Sequence, residues 1–281
     1  MRILATSDIH QMISKWKSLI NICKKEKPNV VAIAGDLFPK DTYITGQKSF
    51  MPHLIKYAKK MRDLGIEIVI IMGNDDNQNL IPNMEEQDKN GLWHYIPEKV
   101  VNIGGYEFVA MPWVPDYPFG YKFWCRGEYC DNLRIDPEQF TEPVLVNANN
   151  KFEVIKDYEQ YLESKKDIWQ SLKDTAKLVK DISKSIWLIH CPPSNMNLDV
   201  CSHGGRVGSG AVLRFIKEYQ PLLTIHGHIH ESPVYAKNQW KHKEGNTLCV
   251  QGGQLGFDLH YTTIDIMDGV IVDSKHSIYG N

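Results

Sequence analysis

Val30-Val31-Ala32-Ile33-Ala34-Gly35-Asp36 is an unbroken apolar run that stops at a glycine and an aspartate. Bounded by Pro28-Asn29 before it and Gly35 after it, the run reads as a buried strand. Two similar runs flank it. Arg2-Ile3-Leu4-Ala5-Thr6 leads into Ser7-Asp8-Ile9-His10, and Ile66-Glu67-Ile68-Val69-Ile70-Ile71-Met72 leads into Gly73-Asn74-Asp75-Asp76. Between them, residues 14–25 place Trp16, Leu19, Ile20 and Cys23 at helical spacing. Residues 48–64 do the same with Leu54, Ile55, Tyr57, Ala58, Met61 and Leu64, closed by Gly65. Three strand–helix units with near-continuous apolar strands predict an α/β fold whose largely parallel sheet is covered on both faces.

Working outward, 100–103 and 106–111 around Gly104-Gly105 read as a β-hairpin. Residues 113–150, rich in Pro, Tyr, Phe, Trp and Asn without a period, read as a loop-rich insertion over the domain. A helix is expected at 152–183, with Ile155, Tyr158, Leu162, Trp169, Leu172, Ala176 and Val179 along one core-facing stripe. The alternation then resumes. A strand at 185–189 delivers His190, Ser209 caps a helix through Tyr219, and a strand at 222–225 delivers His226-Gly227-His228-Ile229-His230. Two β segments, 247–251 and 261–273, follow, the second turning at Asp268-Gly269. With no repeat, low-complexity tract or linker, 1–281 is expected to be a single domain.

Composition removes several classes. Lys plus Arg total 32 against 34 acidic residues, a formal charge of -2, which argues against a strongly basic nucleic-acid binder. The apolar runs fall far short of the ~20 residues a bilayer span needs. No secretory pattern opens the chain, and six sparse cysteines do not form a disulfide framework, so a reducing cytoplasm is expected. Cys125 and Cys130 are close enough for half a zinc site, but no second pair accompanies them.

Residue types that bind metals follow the ends of several apolar strands: Asp8 and His10, Asp36, Asn74-Asp75-Asp76, His190, and His228 with His230. Ligands bind at the carboxyl ends of strands in open α/β sheets, so five segments aim oxygen and nitrogen donors into one volume. Within Asp8-Ile9-His10 and His228-Ile229-His230, an extended backbone would point both side chains the same way. Each fragment alone is ordinary turn chemistry; their order and shared placement are not.

The series Asp8-Ile9-His10, Gly35-Asp36, Gly73-Asn74-Asp75-Asp76, His190 and Gly227-His228-Ile229-His230 resembles that of the calcineurin-like metallophosphoesterases, from Asp8 to His230. The resemblance implies a four-layer sandwich, two mixed β-sheets flanked by helices, with two divalent metal ions (Mn, Fe or Zn) at the strand ends. It implies that Asp8, His10 and His230 hold one ion, that Asn74, His190 and His228 hold the other, and that Asp36 bridges them. His226 lies outside the pattern and reads as a packed or solvent-facing histidine. The departure is Asp75, where many members carry a histidine that handles the leaving group.

The donor chemistry agrees. A carboxylate, amide and imidazole set without thiolates suits Mn²⁺, Fe²⁺ or Zn²⁺. A bridging carboxylate holds ions about 3.5–4 Å apart, the spacing used for in-line displacement at phosphorus, with a metal-bridging hydroxide as nucleophile. The expected activity is therefore binuclear hydrolysis of a phosphate mono- or diester, with a small diester or nucleotide-like substrate favoured. Asp75, Asp76 and, in reserve, His203 are the candidate catalytic groups. Arg206 and the backbone N–H groups near Gly208 and Ser209 are candidate phosphate contacts. The insertion's Trp113, Tyr117, Phe119, Tyr121, Phe123, Trp124 and Arg126 either form a small core of their own, the favoured reading, or stack on a nucleobase. A metal-retaining scaffold and a nuclease stay open as alternatives, and the oligomeric state is not legible.

Overall fold

The computed structural model describes residues 1–130, 133–134 and 139–281. Its principal strands, in chain order, are β1 (Arg2–Thr6), β2 (Val30–Ala34), β3 (Glu67–Ile71), β4 (His94–Tyr95), β5 (Val100–Ile103), β6 (Tyr106–Met111), β7 (Ser185–Ile189), β8 (Leu223–His226), β9 (Lys241–Glu244), β10 (Thr247–Gln251), β11 (Thr262–Met267) and β12 (Val270–His276). They form two six-stranded sheets, ordered β12-β11-β1-β2-β3-β4 and β9-β10-β8-β7-β6-β5. The central strands of each are parallel, with Ile3 opposite Val30, Ala32 opposite Val69 and Ile186 opposite Leu223. Antiparallel pairs occupy the margins. The single parallel sheet expected from the first three units is thus one of two mixed sheets, as the family resemblance implied.

The period of two along each strand builds the layers. Ile3, Ala5, Val30, Ala32, Val69 and Ile71 face the second sheet and meet Phe108, Ala110, Ile186, Leu188, Leu223 and Ile225. Their neighbours Leu4, Val31, Ile33, Ile68 and Ile70 face the other way, into Trp16 and Leu19 of α1 (Ile13–Glu26) and Leu54 and Met61 of α2 (Met51–Arg62). On the far side, Val109, Met111, Trp187 and Ile189 pack with the helices Ile168–Ala176 and Gly210–Tyr219. Helix, sheet, sheet, helix is the result. Each fully buried Val, Leu or Ile contributes ~1.5–3 kcal/mol of transfer free energy, which is why both faces of the central strands are apolar.

Two expectations need correction. The helix expected at 152–183 is broken into a short strand Phe152–Val154 and separate helices Tyr158–Glu163 and Ile168–Ala176. Asp157 and Asp167 cause the restarts: each carboxylate accepts from the backbone N–H three residues on, at Gln160 and Gln170, which caps a new helix rather than continuing an old one. The helix expected from residue 48 begins at Met51, preceded by a 3₁₀ stretch, Asp41–Phe50. The hairpin at Gly104-Gly105, the Ser209 cap and the Asp268-Gly269 turn form as expected. Cys125 is buried and burial pushes its thiol up to about 12; the Cys130 side chain lies outside the described residues. Among the described residues, no helix is long and apolar enough to cross a membrane.

Candidate metal centre

The carboxyl ends of β1, β2, β3, β7 and β8 meet where the loops after them interlock. Asp8 N–H donates to the Gly35 carbonyl, His10 N–H to the Asp36 carbonyl and Gly227 N–H to the His190 carbonyl. Asp8, His10, Asp36 and His230 bring one donor atom each to within 4.8 Å of one another. Beside them, Asn74 Oδ1 lies 2.8 Å from His190 Nε2 and 2.6 Å from His228 Nδ1. Asp36 connects the groups, its Oδ2 standing 3.5 Å from His190 Nε2. All seven metal-type residues read from the sequence converge.

The means of convergence differs from the expected one. Asp8, His10, Asp36 and His228 have φ of 54°, 50°, 54° and 73°, so the side chains are aimed by left-handed turns rather than by an extended backbone. Such conformations cost non-glycine residues free energy and cluster at functional sites. The glycines before the ligands are equally constrained. A Cβ on Gly35, itself at φ 97°, would strike His190 Nδ1 and the Gly73 backbone, and one on Gly73 would strike Asp36 and His190.

Backbone carbonyls fix the tautomers. His10 Nδ1 lies 3.0 Å from the Phe38 carbonyl and His190 Nδ1 lies 2.7 Å from the Ala34 carbonyl; a carbonyl can only accept, so Nδ1 carries a proton and Nε2 is the atom turned to the cluster. His10 Nε2 then faces His230 Nε2 at 3.4 Å, and His190 Nε2 faces the oxygens of Asn74 and Asp36. Acceptors crowded against acceptors need a positive charge between them, and a divalent cation fits this donor set.

The electrostatics carry the same demand. Burial opposes charge on Asp8 and Asp36, yet His230 holds Asp8, and His190 with His10 holds Asp36, below the usual carboxylate range. Burial pushes the His190 imidazole down, but Asp36 and Asp8 outweigh it and raise it to about 9. His230 rises against burial through Asp8. Burial takes His228 down to about 4, with His190 adding to the shift, and lowers His10. A proton on His190 thus places positive charge among these oxygens.

The remaining candidates separate. Asp75 is half-buried in the cluster: its N–H donates to Asp36 Oδ1 at 2.9 Å and its Oδ1 accepts from Asn74 Nδ2 at 3.1 Å. Asp76 is fully buried, its oxygens accepting from the N–H groups of Leu37, Phe38 and Gly73 at 2.8–3.1 Å. Burial and the charge of Asp36 push its carboxyl up, against the pull of those three donors. His203 is exposed on the turn closed by Gly204 N–H to the Cys201 carbonyl. Arg206 pairs with Asp199 at 3.3 Å and donates to Asn197 Oδ1 at 2.5 Å. The amides offered to phosphate are already engaged, Gly208 N–H by Asp199 and Ser209 N–H by the Pro192 carbonyl. Glu128 accepts from Ala211 N–H, so that helix start already holds an anion. His226 is packed, bonded to the Ile189 and Cys191 carbonyls and to Thr224.

Several residues that brace the site were not read from the sequence. Gln47, fully buried, donates to the carbonyls of Pro39 and Asp75 and accepts from Asn77 N–H, joining two ligand loops. Gln254 donates to the Ser7 carbonyl at 2.8 Å while its own N–H donates to the His230 carbonyl, and buried Lys15 donates to Gln254. Gln251 ends strand β10 and Gln254 follows it at the cluster end, a signal the sequence did carry. Gln47 and Lys15 lie in the 3₁₀ stretch and on α1, where nothing marks a polar residue as buried. Tyr117, from the insertion, sets its ring 6.2 Å from that of His228. Burial raises its phenol, and the charges of Asp75 and Asp36 add to the rise.

A four-layer sandwich with this donor cluster at its strand ends is the architecture of the metallophosphoesterases. A model of the family described as Calcineurin-like phosphoesterase matches residues 1–232, and the chain belongs to that family. No curated protein matches. Among solved structures, TT1561 of Thermus thermophilus is similar at a TM-score of 0.55 and 15% identity, with 97% of each chain covered. A dimetal phosphatase from Danio rerio is similar at 0.54 and 11%, covering 100% of this chain and 99% of that one. GAP50, the anchor in the inner membrane complex of Plasmodium, is similar at 0.50 and 13%, covering 98% and 84%. At these identities the likeness is one of fold.

Proposed function

We propose that this protein is a binuclear phosphoesterase that hydrolyses a small phosphate mono- or diester. The observation that carries the reading is the shared position of Asp36, between Asp8, His10 and His230 on one side and Asn74, His190 and His228 on the other. Two divalent ions held there would supply Lewis acidity toward the phosphoryl oxygens and bring water to its ionised form near neutral pH. His10 and His190 present Nε2 because Phe38 and Ala34 hold Nδ1. Neutral Asn74 adds no negative charge where an anionic ester must dock. Asp76, closed off by three amides, ties the Asp36 loop to the Asn74 loop and so positions both.

Leaving-group protonation falls to Asp75, inside the cluster, or His203, on the exposed loop that Arg206 braces through Asp199. Asp75→Asn and His203→Gln separate them: the variant that loses the basic limb of the pH–rate profile removes the acid. The free thiols of Cys23, Cys125, Cys191, Cys201 and Cys249 fit a reducing cytoplasm.

The test is turnover of a chromogenic phosphomonoester and diester by purified protein, with and without added Mn²⁺. Mn²⁺-dependent hydrolysis of either is expected. Two bound ions with no turnover of these or of a nucleotide panel would sink the enzyme reading and leave a metal-retaining binding module.

A further inference from the structure

The aromatic residues of the insertion divide into two groups. Trp124 and Tyr121 are buried and both donate to the Asp76 carbonyl, at 2.5 and 3.2 Å, so they belong to the framework of the ligand loop. Tyr117 is braced from beneath. Its hydroxyl donates to the Tyr121 carbonyl at 2.5 Å, and the buried ammonium of Lys122, paired with Asp116 at 2.9 Å, lies 4.8 Å from its ring centre. Tyr158 donates to the same Asp116 at 2.6 Å.

Outward from Tyr117 the rings continue into solvent. Phe119 lies 6.1 Å from Tyr117, and Phe140 meets Phe119 edge-on at 6.0 Å. These two are 61% and 70% exposed, yet their backbone is braced: Phe140 N–H donates to the Pro118 carbonyl and Val144 N–H to the Gly120 carbonyl, at 2.9 and 2.7 Å. Adjacent exposed apolar rings held on a braced frame are the kind of surface that interaction sites use. Phe257, 89% exposed, offers the contrast, with no ring neighbour among the described residues. The inner end of the series is the ring contact between Tyr117 and His228, so the surface begins at the metal-type cluster.

Taking that cluster as a phosphoester site, we propose that Tyr117, Phe119 and Phe140 seat a planar aromatic group of the substrate, a nucleobase or an aryl leaving group. A phosphate at the cluster places the rest of such a molecule within two ring-to-ring steps of Phe119. Stacking on exposed rings tolerates any planar π-face, so this surface selects aromatic from aliphatic esters rather than one base from another.

The substitutions are Phe119→Ala and Phe140→Ala, both at exposed positions, in the Mn²⁺-loaded protein. For AMP, KM is expected to rise roughly tenfold in each variant, the scale of losing one stacked ring, with kcat little changed. For ribose 5-phosphate, which has no ring to stack, the rise should be smaller by about that factor. If p-nitrophenyl phosphate follows AMP, the seat takes aryl groups as well as bases; if it follows ribose 5-phosphate, the seat takes bases. Equal shifts for AMP and ribose 5-phosphate, or none, overturn the proposal, and Phe257→Ala serves as the control for loss of an exposed ring. Equilibrium binding of a phosphonate analogue of AMP separates the two readings. Analogue binding weakened in the variants of a protein that hydrolyses nothing keeps the seat and removes the phosphoesterase. An active enzyme whose variants bind the analogue like wild type does the reverse.

Discussion

The two halves of the donor cluster are built differently. Asp8, His10 and His230, with Asp36, form an anionic half that reaches solvent, the His230 side chain being 24% exposed. Asn74, His190 and His228 contribute no carboxylate; the His190 side chain is fully buried at 0%, while His228 is half-buried. On the proposed binuclear reading the first would attract a cation by charge, and the second would depend on the Asp36 oxygen that it shares. One residue, rather than two independent sites, would then control loading.

Asp36→Ala is therefore the sharpest break. Metal analysis should find content falling from about two ions per chain toward none, with turnover down on the order of 10³-fold. Loss of a single ion would end the idea of a common ligand. Next come His10→Ala and His190→Ala, each expected to leave about one ion. Both should also lower the melting temperature of the metal-free protein, His190→Ala by more because His190 is fully buried, since each leaves a carbonyl, Phe38 or Ala34, without its imidazole donor. Matching losses of stability would erase the contrast between the halves.

Asp76→Ala strands three buried N–H groups, for a cost of about 3 kcal/mol or more in urea unfolding. A cost below about 1 kcal/mol would show that Asp76 does not tie the loops together.

The smallest effect lies outside both halves. His276 accepts from the N–H groups of Ile278 and Tyr279 at Nδ1 while Nε2 lies 2.8 Å from the Gly252 carbonyl, and burial takes it down to about 4. A depressed folded-state value means its contribution is complete above the ordinary histidine value, ~6.5, and is lost as pH falls toward 4. His276→Gln should flatten part of the stability loss between pH 6.5 and 4 without changing metal content; an unchanged slope would assign that loss to other buried histidines.

How legible the molecule was varied by element. Strands β1, β2 and β3 could be read because burial on both faces forces continuous apolar residues, and the converging metal-type residues because each follows such a run. Asp157 and Asp167 show where reading failed. A stripe from Ile155 to Val179 has the period of one helix, but a carboxylate that caps overrides periodicity locally. Gln47 and Lys15 were invisible because their partners are backbone groups distant in the chain. The insertion's rings were identifiable as aromatic but not as inner or outer. Tyr121 at 7% and Phe119 at 61% exposure look alike in sequence.

By itself, then, the chain's order of apolar runs and the residues ending them determined the α/β class and the metal-type residues, and through them the family and its two-sheet sandwich. Those features are local: a strand buried on both faces and a glycine before a ligand leave marks at fixed spacing. Tertiary structure alone decided that left-handed turns rather than extended segments aim the ligands, that Asp76 faces amides, and that two phenylalanines stand in solvent beside the cluster. Such outcomes depend on what packs against each residue from across the fold, and spacing along a chain carries no record of that.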